Sequence, residues 1–352
     1  MRYRYQISLV MVLAVFTISG TFLCGNASAA TTCTFTISGS EMVLDTNCTT
    51  DQTILIPDGF TMDLNQNTIT GIDPAGGHFV GAVVRNGGEQ AEITNGTVTV
   101  NGLSNVCDAG DNRLRGVMFQ GASGSISNLR VININQVSSG CQEGNAIEVR
   151  NLGNSPTTSR VTIDSNIVSG YQKTGIVANG DVHATITNNT VTGNGPIGYI
   201  AQNGIQVGFG GTGMIKRNTV SGNSYSGSST VSGGILVVGG PGYGGAFCLG
   251  VQIMQNTVSN NDVGVYLSQY EADFSAPATA TNIKVVNNTI SSSGVTSGYV
   301  YQAGVADVGN NDKVINNTIT GAGYNPATLP GSTFSVDADA SFTNFAKVHA
   351  NK

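Results

Sequence analysis

One short pattern recurs along most of this chain: an aliphatic residue, two variable residues, and then Asn-Thr-Val/Ile-Ser/Thr. Clear copies occupy residues 64–70, 186–192, 215–221, 253–259, 285–291 and 314–320, and weaker copies start at Ile93, Ile126 and Ile163. The fourth place of the pattern falls at positions 67, 96, 129, 166, 189, 218, 256, 288 and 317, with spacings from 23 to 38 residues. Nine units of roughly thirty residues predict a solenoid in which each unit packs on its neighbours.

A second motif lies inside the period and begins with Gly, followed by alternating apolar and variable residues. It starts at Gly116, Gly175, Gly204, Gly234 and Gly264, and with Ala in the same place at Ala146. Period-two alternation is typical of β-strands, and helical periodicity is absent after residue 30. Two or three short strands per thirty residues predict a parallel β-helix, with the Asn column stacked at a bend where its side chains satisfy backbone groups.

Composition excludes several other classes. Only 10% of the residues are charged, with 15 basic against 21 acidic side chains, which excludes coiled coils and the basic stripe of a nucleic-acid-binding protein. A hydrophobic fraction of 39% with a net charge of −6 is sufficient for a buried core and argues against disorder.

The first thirty residues have the features of a secretory signal peptide. Arg2 and Arg4 supply the positive start, residues 7–23 are apolar, and Ala27-Ser28-Ala29 fits a cleavage site. We expect a secreted, periplasmic or cell-surface protein with no membrane span once the signal is removed. In an oxidising compartment the cysteines should pair, and Cys33–Cys48 and Cys107–Cys141 are the favoured bridges. Five cysteines allow fifteen ways to form two bridges, so other pairings stay open.

These motifs carry a family resemblance. The Asn-Asn-Thr-Val/Ile and Gly-Ile-x-Val units, as at 188–191 and 204–207, resemble those of right-handed parallel β-helix proteins of the pectin-lyase-like superfamily, which includes periplasmic and secreted sugar-binding and sugar-cleaving members. The resemblance implies an all-β chain with one right-handed solenoid of about nine coils. The expected divisions are a signal peptide at 1–30, an N-terminal cap at 31–55, the β-helix at 56–325, and an irregular C-terminal tail or cap at 326–352. No catalytic family is matched, because the Gly-His-Gly signature of polygalacturonases is absent and Asp73-Pro74 lacks the His-Asp that follows in alginate epimerases.

Alignment of the strand motifs places polar side chains in outward columns. One column reads Val83, Met118, Glu148, Val177, Gln206, Leu236 and Tyr266, and the next reads Arg85, Gln120, Arg150, Asn179, Gly208, Val238 and Ser268. Adjacent strands lie about 4.8 Å apart, so we expect Arg85, Gln120, Arg150 and Asn179 to line one groove on coils two to five. In a chain with few charges, this cluster predicts either a site for an acidic sugar or a set of solvated ion pairs.

The candidate site residues follow from that groove. Lyase-type elimination on a uronic acid requires a group that neutralises the carboxylate and a base near the acidic proton. Arg115 or Arg150 fits the first role, Lys173, His183 or Tyr171 fits the second, and Glu148 lies beside them. A hydrolase would require two carboxylates, and Glu148 with Glu143 or Asp111 is the available pair. Arg85, Gln120, Asn179, Tyr171, Gln206 and Tyr266 are the expected substrate contacts, with tyrosines stacking on sugar rings.

Two functions remain open from the sequence. The first is an extracytoplasmic polysaccharide lyase acting on a uronic-acid polymer, with hydrolase or isomerase chemistry less favoured. The second is a non-catalytic carbohydrate-binding or surface-adhesive β-helix. The partner in both is a polysaccharide or other sugar, with no nucleic acid, and the oligomeric state is left open. No cofactor or metal is indicated; calcium is an alternative without an acidic motif to support it.

Overall fold

The computed structural model describes residues 31–299 and 301–324, together with the backbone of a strand at Lys347–His349. The predicted signal peptide lies outside these residues, as does most of the segment 326–352. The described chain winds into a solenoid of parallel strands with three strand stacks, which we call the front sheet, the side stack and the back stack. Coils are numbered by their front-sheet strand.

The front sheet contains nine parallel strands, one per coil. They are Ile54–Ile56, Ala82–Asn86, Arg115–Gln120, Asn145–Asn151, Thr174–Gly180, Asn203–Gly208, Gly233–Gly239, Val263–Gln269 and Ala303–Val308. The register follows the alignment made from sequence from coil three onward: Met118 pairs with Glu148, Glu148 with Val177, and Val177 with Gln206. The all-β fold of about nine coils is confirmed.

The other two stacks share two long strands that turn a corner, Gln90–Val100 and Ser123–Ile132. The remaining strands of the side stack are Phe35–Ser38, Glu41–Leu44, Phe60–Asp63, Ser159–Asp164, Val182–Thr187, Thr212–Lys216, Gln252–Met254, Lys284–Val286, Lys313–Ile315 and Lys347–His349. Those of the back stack are Cys48–Thr50, Thr68–Gly71, Ile167–Ser169, Thr190–Thr192, Thr219–Ser221, Thr257–Ser259, Thr289–Ser291 and Thr318–Thr320. Among the described residues, helical backbone is limited to three 3₁₀ turns, Gly110–Asn112, Pro241–Tyr243 and Ala322–Tyr324, and none of them is long and apolar enough to cross a membrane.

From Asn166 to Asn317 the Asn column forms a continuous ladder between the side and back stacks, whereas Gly96 and Leu129 stand in the same place on two earlier coils. The Asn189 side-chain amide donates to Oδ1 of Asn218 at 2.9 Å, and Asn218 donates in the same way to Asn256 at 3.0 Å. Each of these side chains also donates to a backbone carbonyl on the preceding coil, as Asn218 does to Ile186 at 2.9 Å. All three asparagines are almost fully buried, so the ladder satisfies backbone groups that the strands leave unpaired at the bend.

The strand motif begins with Gly for a steric reason. A Cβ atom added at Gly175, Gly204 or Gly234 would lie 2.5–2.7 Å from the carbonyl oxygen of the next coil. That distance is well inside van der Waals contact. Coils can therefore stack at the β spacing here because the residue has no side chain.

The N-terminal end is closed by a short antiparallel hairpin and a disulfide. Phe35–Ser38 pairs with Glu41–Leu44, which then continues into the parallel stack. Cys33 is bonded to Cys48, and Cys107 to Cys141, which are the favoured pairings from sequence. At the other end, Lys347–His349 pairs in parallel with Lys313–Ile315, so three residues of the expected irregular tail extend the side stack. The two disulfides fit an extracytoplasmic location.

The last coil encloses two aspartates inside the solenoid. Asp307 and Asp312 are essentially fully buried, and Asp312 accepts hydrogen bonds from the Thr281 hydroxyl at 2.6 Å and the Ile283 amide at 2.7 Å. Within the described residues, no hydrogen-bond donor lies within reach of the Oδ2 atom of either carboxyl. Burial and then the neighbouring Asp312 raise the pKa of Asp307 well above its usual range, so folding favours the protonated form of this carboxyl.

This pair predicts that the protein loses stability as the pH rises. A carboxyl whose pKa is raised by folding stabilises the folded state fully below its unfolded value near 3.8, and that contribution is lost as the pH rises toward the folded value. The Asp307→Asn variant should keep a donor toward Asp312 without the charge. We expect it to melt about 2–4 °C higher than wild type at pH 8 and at a similar temperature at pH 4. Thermal unfolding at both pH values measures this, and an equal shift at both would contradict it.

Candidate functional site

The front sheet carries a cleft of about 280 Å³ on coils three to six, here called the charged cleft. Its lining includes Arg115, Asn145, Glu148, Arg150, Lys173, Asn179 and Gln206. The parallel register brings these side chains together, because Arg150 is aligned with Asn179 and Glu148 with Val177 on the adjacent strand. Their sequence separation is set by the coil length, and the cleft cannot form without the solenoid.

Glu148 lies at the centre of the charged cleft and is held by two arginines. Its Oε2 accepts from Nε of Arg115 at 2.6 Å and from the side-chain amide of Asn145 at 2.8 Å. Its Oε1 lies 3.6 Å from a terminal nitrogen of Arg150. All three charged side chains are less than a tenth exposed, so they form a buried ion-pair network whose geometry is fixed by its own contacts.

Arg115 holds the wall of the cleft together. Beyond Glu148, its guanidinium donates to the carbonyl oxygens of Arg113 at 2.7 Å, Gly110 at 3.1 Å and Asp111 at 3.3 Å. These bonds fasten the 3₁₀ turn Gly110–Asn112 against the start of the coil-three strand. With its donors directed to four internal acceptors, Arg115 is not placed to bind a substrate carboxylate, which is a correction to the role considered from sequence.

Arg150 has a different set of partners. One of its terminal nitrogens donates to the Asp111 carboxylate and lies 3.4 Å from Oε1 of Gln120, while Nε is buried without a hydrogen-bond partner among the described residues. The Asp111 side chain is 59% exposed. Partial burial acts to raise the pKa of Asp111, but Arg150 outweighs it and holds that pKa below its usual value. A carboxylate therefore already occupies the solvent side of Arg150.

Lys173 enters the same cleft from the turn that precedes the coil-five strand. Its ammonium donates to the Ala201 carbonyl at 2.9 Å. Burial lowers the pKa of Lys173 to about 8, since the cleft disfavours the charged amine. A substantial neutral fraction at mildly alkaline pH makes Lys173 the side chain of this cleft best suited to accept a proton.

Two residues considered as bases from sequence lie elsewhere. His183 is exposed on the side stack, where Nδ1 lies 3.2 Å from the Thr212 hydroxyl. Tyr171 is fully buried in the solenoid core, and its hydroxyl donates to Asn223 at 2.5 Å. Burial raises the pKa of Tyr171 far above its usual value. Neither side chain reaches the charged cleft, so both assignments are corrected.

Tyr171, also an expected substrate contact, lies in the core, and the other expected contacts divide among three places. Asn179 and Gln206 line the charged cleft and bond to each other at 3.1 Å. Arg85 and Gln120 line an adjoining depression. In the register of the coil-two strand, Val84 pairs with Val117 and Arg85 with Met118. The alignment from sequence was wrong at this strand by two residues. Tyr266 lies farther along the front sheet, in a second cleft on the C-terminal coils.

Of the two partners considered for Glu148 in a hydrolase, Asp111 is bound to Arg150 at the charged cleft, whereas Glu143 does not line that cleft. Glu143 is fully buried, and its two oxygens accept the backbone amides of Asp108 at 2.9 Å and Leu114 at 2.7 Å. It therefore fixes a loop instead of facing the cleft. No group of three or more His, Cys, Asp or Glu side chains within the described part of the chain is arranged to hold a metal ion.

Sequence reasoning did not single out Asn145, which donates to Glu148 and whose Oδ1 is buried without a partner in the described structure. Asn145 begins the coil-four strand and is aligned with Arg115. That alignment was the sequence feature that could have identified it as a cleft residue. Phe209 and Leu152, which close the cleft after the strands, lie in turns that the period-two pattern does not reach.

The family follows from this architecture and from sequence comparison. A family model described as a right-handed β-helix region matches residues 115–322, which is more than half of the chain. The chain belongs to the right-handed β-helix family, and the resemblance to pectin-lyase-like proteins is confirmed for the fold.

Solved structures with a similar winding share little sequence with this chain. The Dettilon tailspike protein (gp208) is 16% identical, with a TM-score of 0.43, over 89% of this chain and 63% of that one. The periplasmic alginate epimerase AlgG is 12% identical, with a TM-score of 0.33, over 89% of this chain and 79% of its own. The chain thus spans less than two thirds of the tailspike protein. No curated protein matches the sequence.

Proposed function

We propose that this protein is an extracytoplasmic enzyme that cleaves a uronic-acid polysaccharide by elimination in the charged cleft. One observation carries the proposal: Arg150 and Lys173 line the same cleft. Arg150 binds the exposed carboxylate of Asp111, and burial lowers the pKa of Lys173 to about 8. A uronate needs these two groups, a cation for its carboxylate and a base for the proton that the carboxylate acidifies.

The exposed Asp111 carboxylate stands in for the substrate carboxylate on Arg150. A uronate entering the cleft would displace it and also reach the buried Nε, which gives a two-point contact suited to the planar guanidinium. Glu148 keeps Arg150 oriented from the opposite side. Arg150 is then a substrate-binding residue, and Glu148 and Arg115 are positioning residues.

The proposed chemistry uses the neutral amine of Lys173. Its Nζ removes the proton at C5 of the uronate, and the electron pair forms a double bond between C4 and C5. The bond from C4 to the glycosidic oxygen breaks, and the leaving oxygen takes a proton from water. Lys173 is held by the Ala201 carbonyl, so its amine is positioned before the sugar binds.

Substitution of Lys173 tests this mechanism. Lys173→Gln can keep a donor toward Ala201 but cannot accept the proton, so we expect kcat to fall at least ~100-fold. The measurement is the absorbance of unsaturated ends released from polygalacturonate, alginate and glucuronan. For the active wild type, kcat/KM should rise with pH with an apparent pKa of about 8, because the neutral amine is the active form.

The matched control is Lys284→Gln, an exposed lysine on the side stack, which should leave kcat unchanged. Unsaturated ends produced equally by Lys173→Gln would remove Lys173 from the mechanism. Binding of these polymers by wild type without any product would instead favour the non-catalytic carbohydrate-binding function.

A further inference from the structure

The second cleft on the front sheet, of about 330 Å³, differs in character from the charged cleft. Four tyrosines line it, Tyr266, Tyr270, Tyr299 and Tyr301, and it lies on coils seven to nine. We propose that it is a separate subsite for an uncharged sugar residue, which stacks its apolar face on these rings. The assignment of both sites to one polymer rests on the proposed function.

The floor of this aromatic cleft is apolar and is built outside the solenoid core. Val263, Ala303 and Ala306 form a buried cluster of their own, with Val231, Tyr266 and Tyr301 packed against it. The main core lies on the other side of the strands, where Val265 and Leu267 point inward. An outward apolar patch with aromatic sides suits the C–H face of a pyranose ring.

Charge also separates the two clefts. Among the described residues that line the aromatic cleft, Asp307 is the only one with an acidic or basic side chain. It aligns with the inward Leu267, and its carboxyl is enclosed in the solenoid. The cleft thus offers a uronate no cation, whereas tyrosine hydroxyls can bond sugar hydroxyls. A neutral sugar is the occupant that this chemistry favours.

The tyrosines are supported by neighbouring aromatic residues. Tyr270 makes edge-on contacts with Tyr243, at a centroid distance of 5.8 Å, and a tilted contact with Phe274 at 6.0 Å. The Tyr243 hydroxyl in turn bonds to Ser268 on the coil-eight strand at 2.8 Å. These contacts fix one wall of the cleft in advance, which lowers the entropy lost when a sugar binds.

The two clefts share one outward column of the front sheet. Gln206 of the charged cleft is aligned with Leu236, and Leu236 with Tyr266. Glu148 and Tyr266 are thus four strands apart, a distance of roughly 19 Å at the β spacing. A single saccharide chain lying along the solenoid can span both sites. The expected ligand is therefore a mixed polymer that carries uncharged sugars several residues away from a uronate.

Calorimetric titration with xylohexaose, mannohexaose and cellohexaose tests the subsite. At least one of these neutral probes should bind wild type, and Tyr266→Ala should weaken that binding about tenfold, the loss of about 1.4 kcal/mol of stacking. Tyr299→Ala, at a 53% exposed position, is a second variant that leaves the sheet intact. Tyr199→Ala, an exposed tyrosine outside both clefts, is the matched control and should bind as wild type does.

Lys173→Gln separates this proposal from the proposed function. It should bind the neutral hexasaccharide with unchanged affinity, and Tyr266→Ala should raise the KM for glucuronoxylan more than the KM for polygalacturonate, whereas Tyr199→Ala should change neither. The subsite is overturned if none of the three probes binds, or if Tyr266→Ala and Tyr299→Ala bind as tightly as wild type, whatever happens with polygalacturonate. Tyr-dependent binding without any elimination would support the subsite and refute the lyase.

Discussion

Replacement of Asn218 by alanine should destabilise the protein by about 4 kcal/mol, the largest effect that we expect from a single substitution. The Asn218 carboxamide accepts from the backbone and side-chain nitrogens of Asn189, both at 2.9 Å, and donates to Asn256 and the Ile186 carbonyl. The variant leaves two buried backbone groups unpaired, each costing about 1–3 kcal/mol, and adds a small cavity.

Urea unfolding measures this loss, and two substitutions calibrate it. Thr219→Ala changes the exposed neighbour on the same coil and should cost less than about 0.5 kcal/mol. Asn67→Ala removes a half-buried asparagine of the same column that Gly96 and Leu129 separate from the ladder. Asn67 donates to the Leu44 carbonyl at 3.1 Å, and its loss should cost about 1 kcal/mol. If Asn218→Ala were no worse than Asn67→Ala, the ladder would not be the structural element that we describe.

Arg115→Met should cost about 3 kcal/mol of stability. The methionine fills the volume of the stem but supplies no donors, so the buried Glu148 loses its 2.6 Å partner and the turn Gly110–Asn112 is released. Removal of one member of a buried ion pair typically costs about 3–5 kcal/mol. Because Arg150 still lies 3.6 Å from Glu148 and partly compensates its charge, we expect a loss of stability at the low end of that range.

A double-mutant cycle separates the ion pair from the packing. Glu148→Gln combined with Arg115→Met should recover about 1 kcal/mol relative to the sum of the single variants, because the uncompensated charge is removed. Arg130→Met is the matched control, since Arg130 is exposed on the strand Ser123–Ile132. A loss below about 1 kcal/mol for Arg115→Met would show that Arg115 is free for another partner.

Sequence patterns predicted the solenoid because its contacts repeat. The Asn place, the Gly of the strand motif and the inward alternation recur in most coils, so the copies support the same interpretation. The coil-two strand is the exception. The column that aligned Val83 with Met118 placed Gly81 opposite Gly116. Gly81 instead has a positive φ of 84° and lies in the turn before the strand, so the pairing moves by two residues while the inward and outward faces are kept.

The site was only partly predictable, since it depends on loops that do not repeat. The columns brought Arg150, Glu148 and Asn179 together correctly, but they gave no sign that Arg115 folds back onto its own turn. Tyr171 precedes the coil-five strand, and His183 lies within the side-stack strand Val182–Thr187. Nothing in the local sequence reveals that the Tyr171 ring enters the core while the His183 ring faces solvent. The Asp307–Asp312 contact is likewise set by tertiary packing within the last coil.

The coil spacing varies from 23 to 38 residues, yet the hydrogen bonds between successive asparagines stay at 2.9–3.0 Å. The differences in coil length therefore lie in the loops between the strands, and they do not change the spacing of the stacked coils. Such an architecture can acquire a new specificity by lengthening or exchanging one loop at a time. A change in one loop leaves the neighbouring loops, the stacked strands and the Asn ladder unchanged.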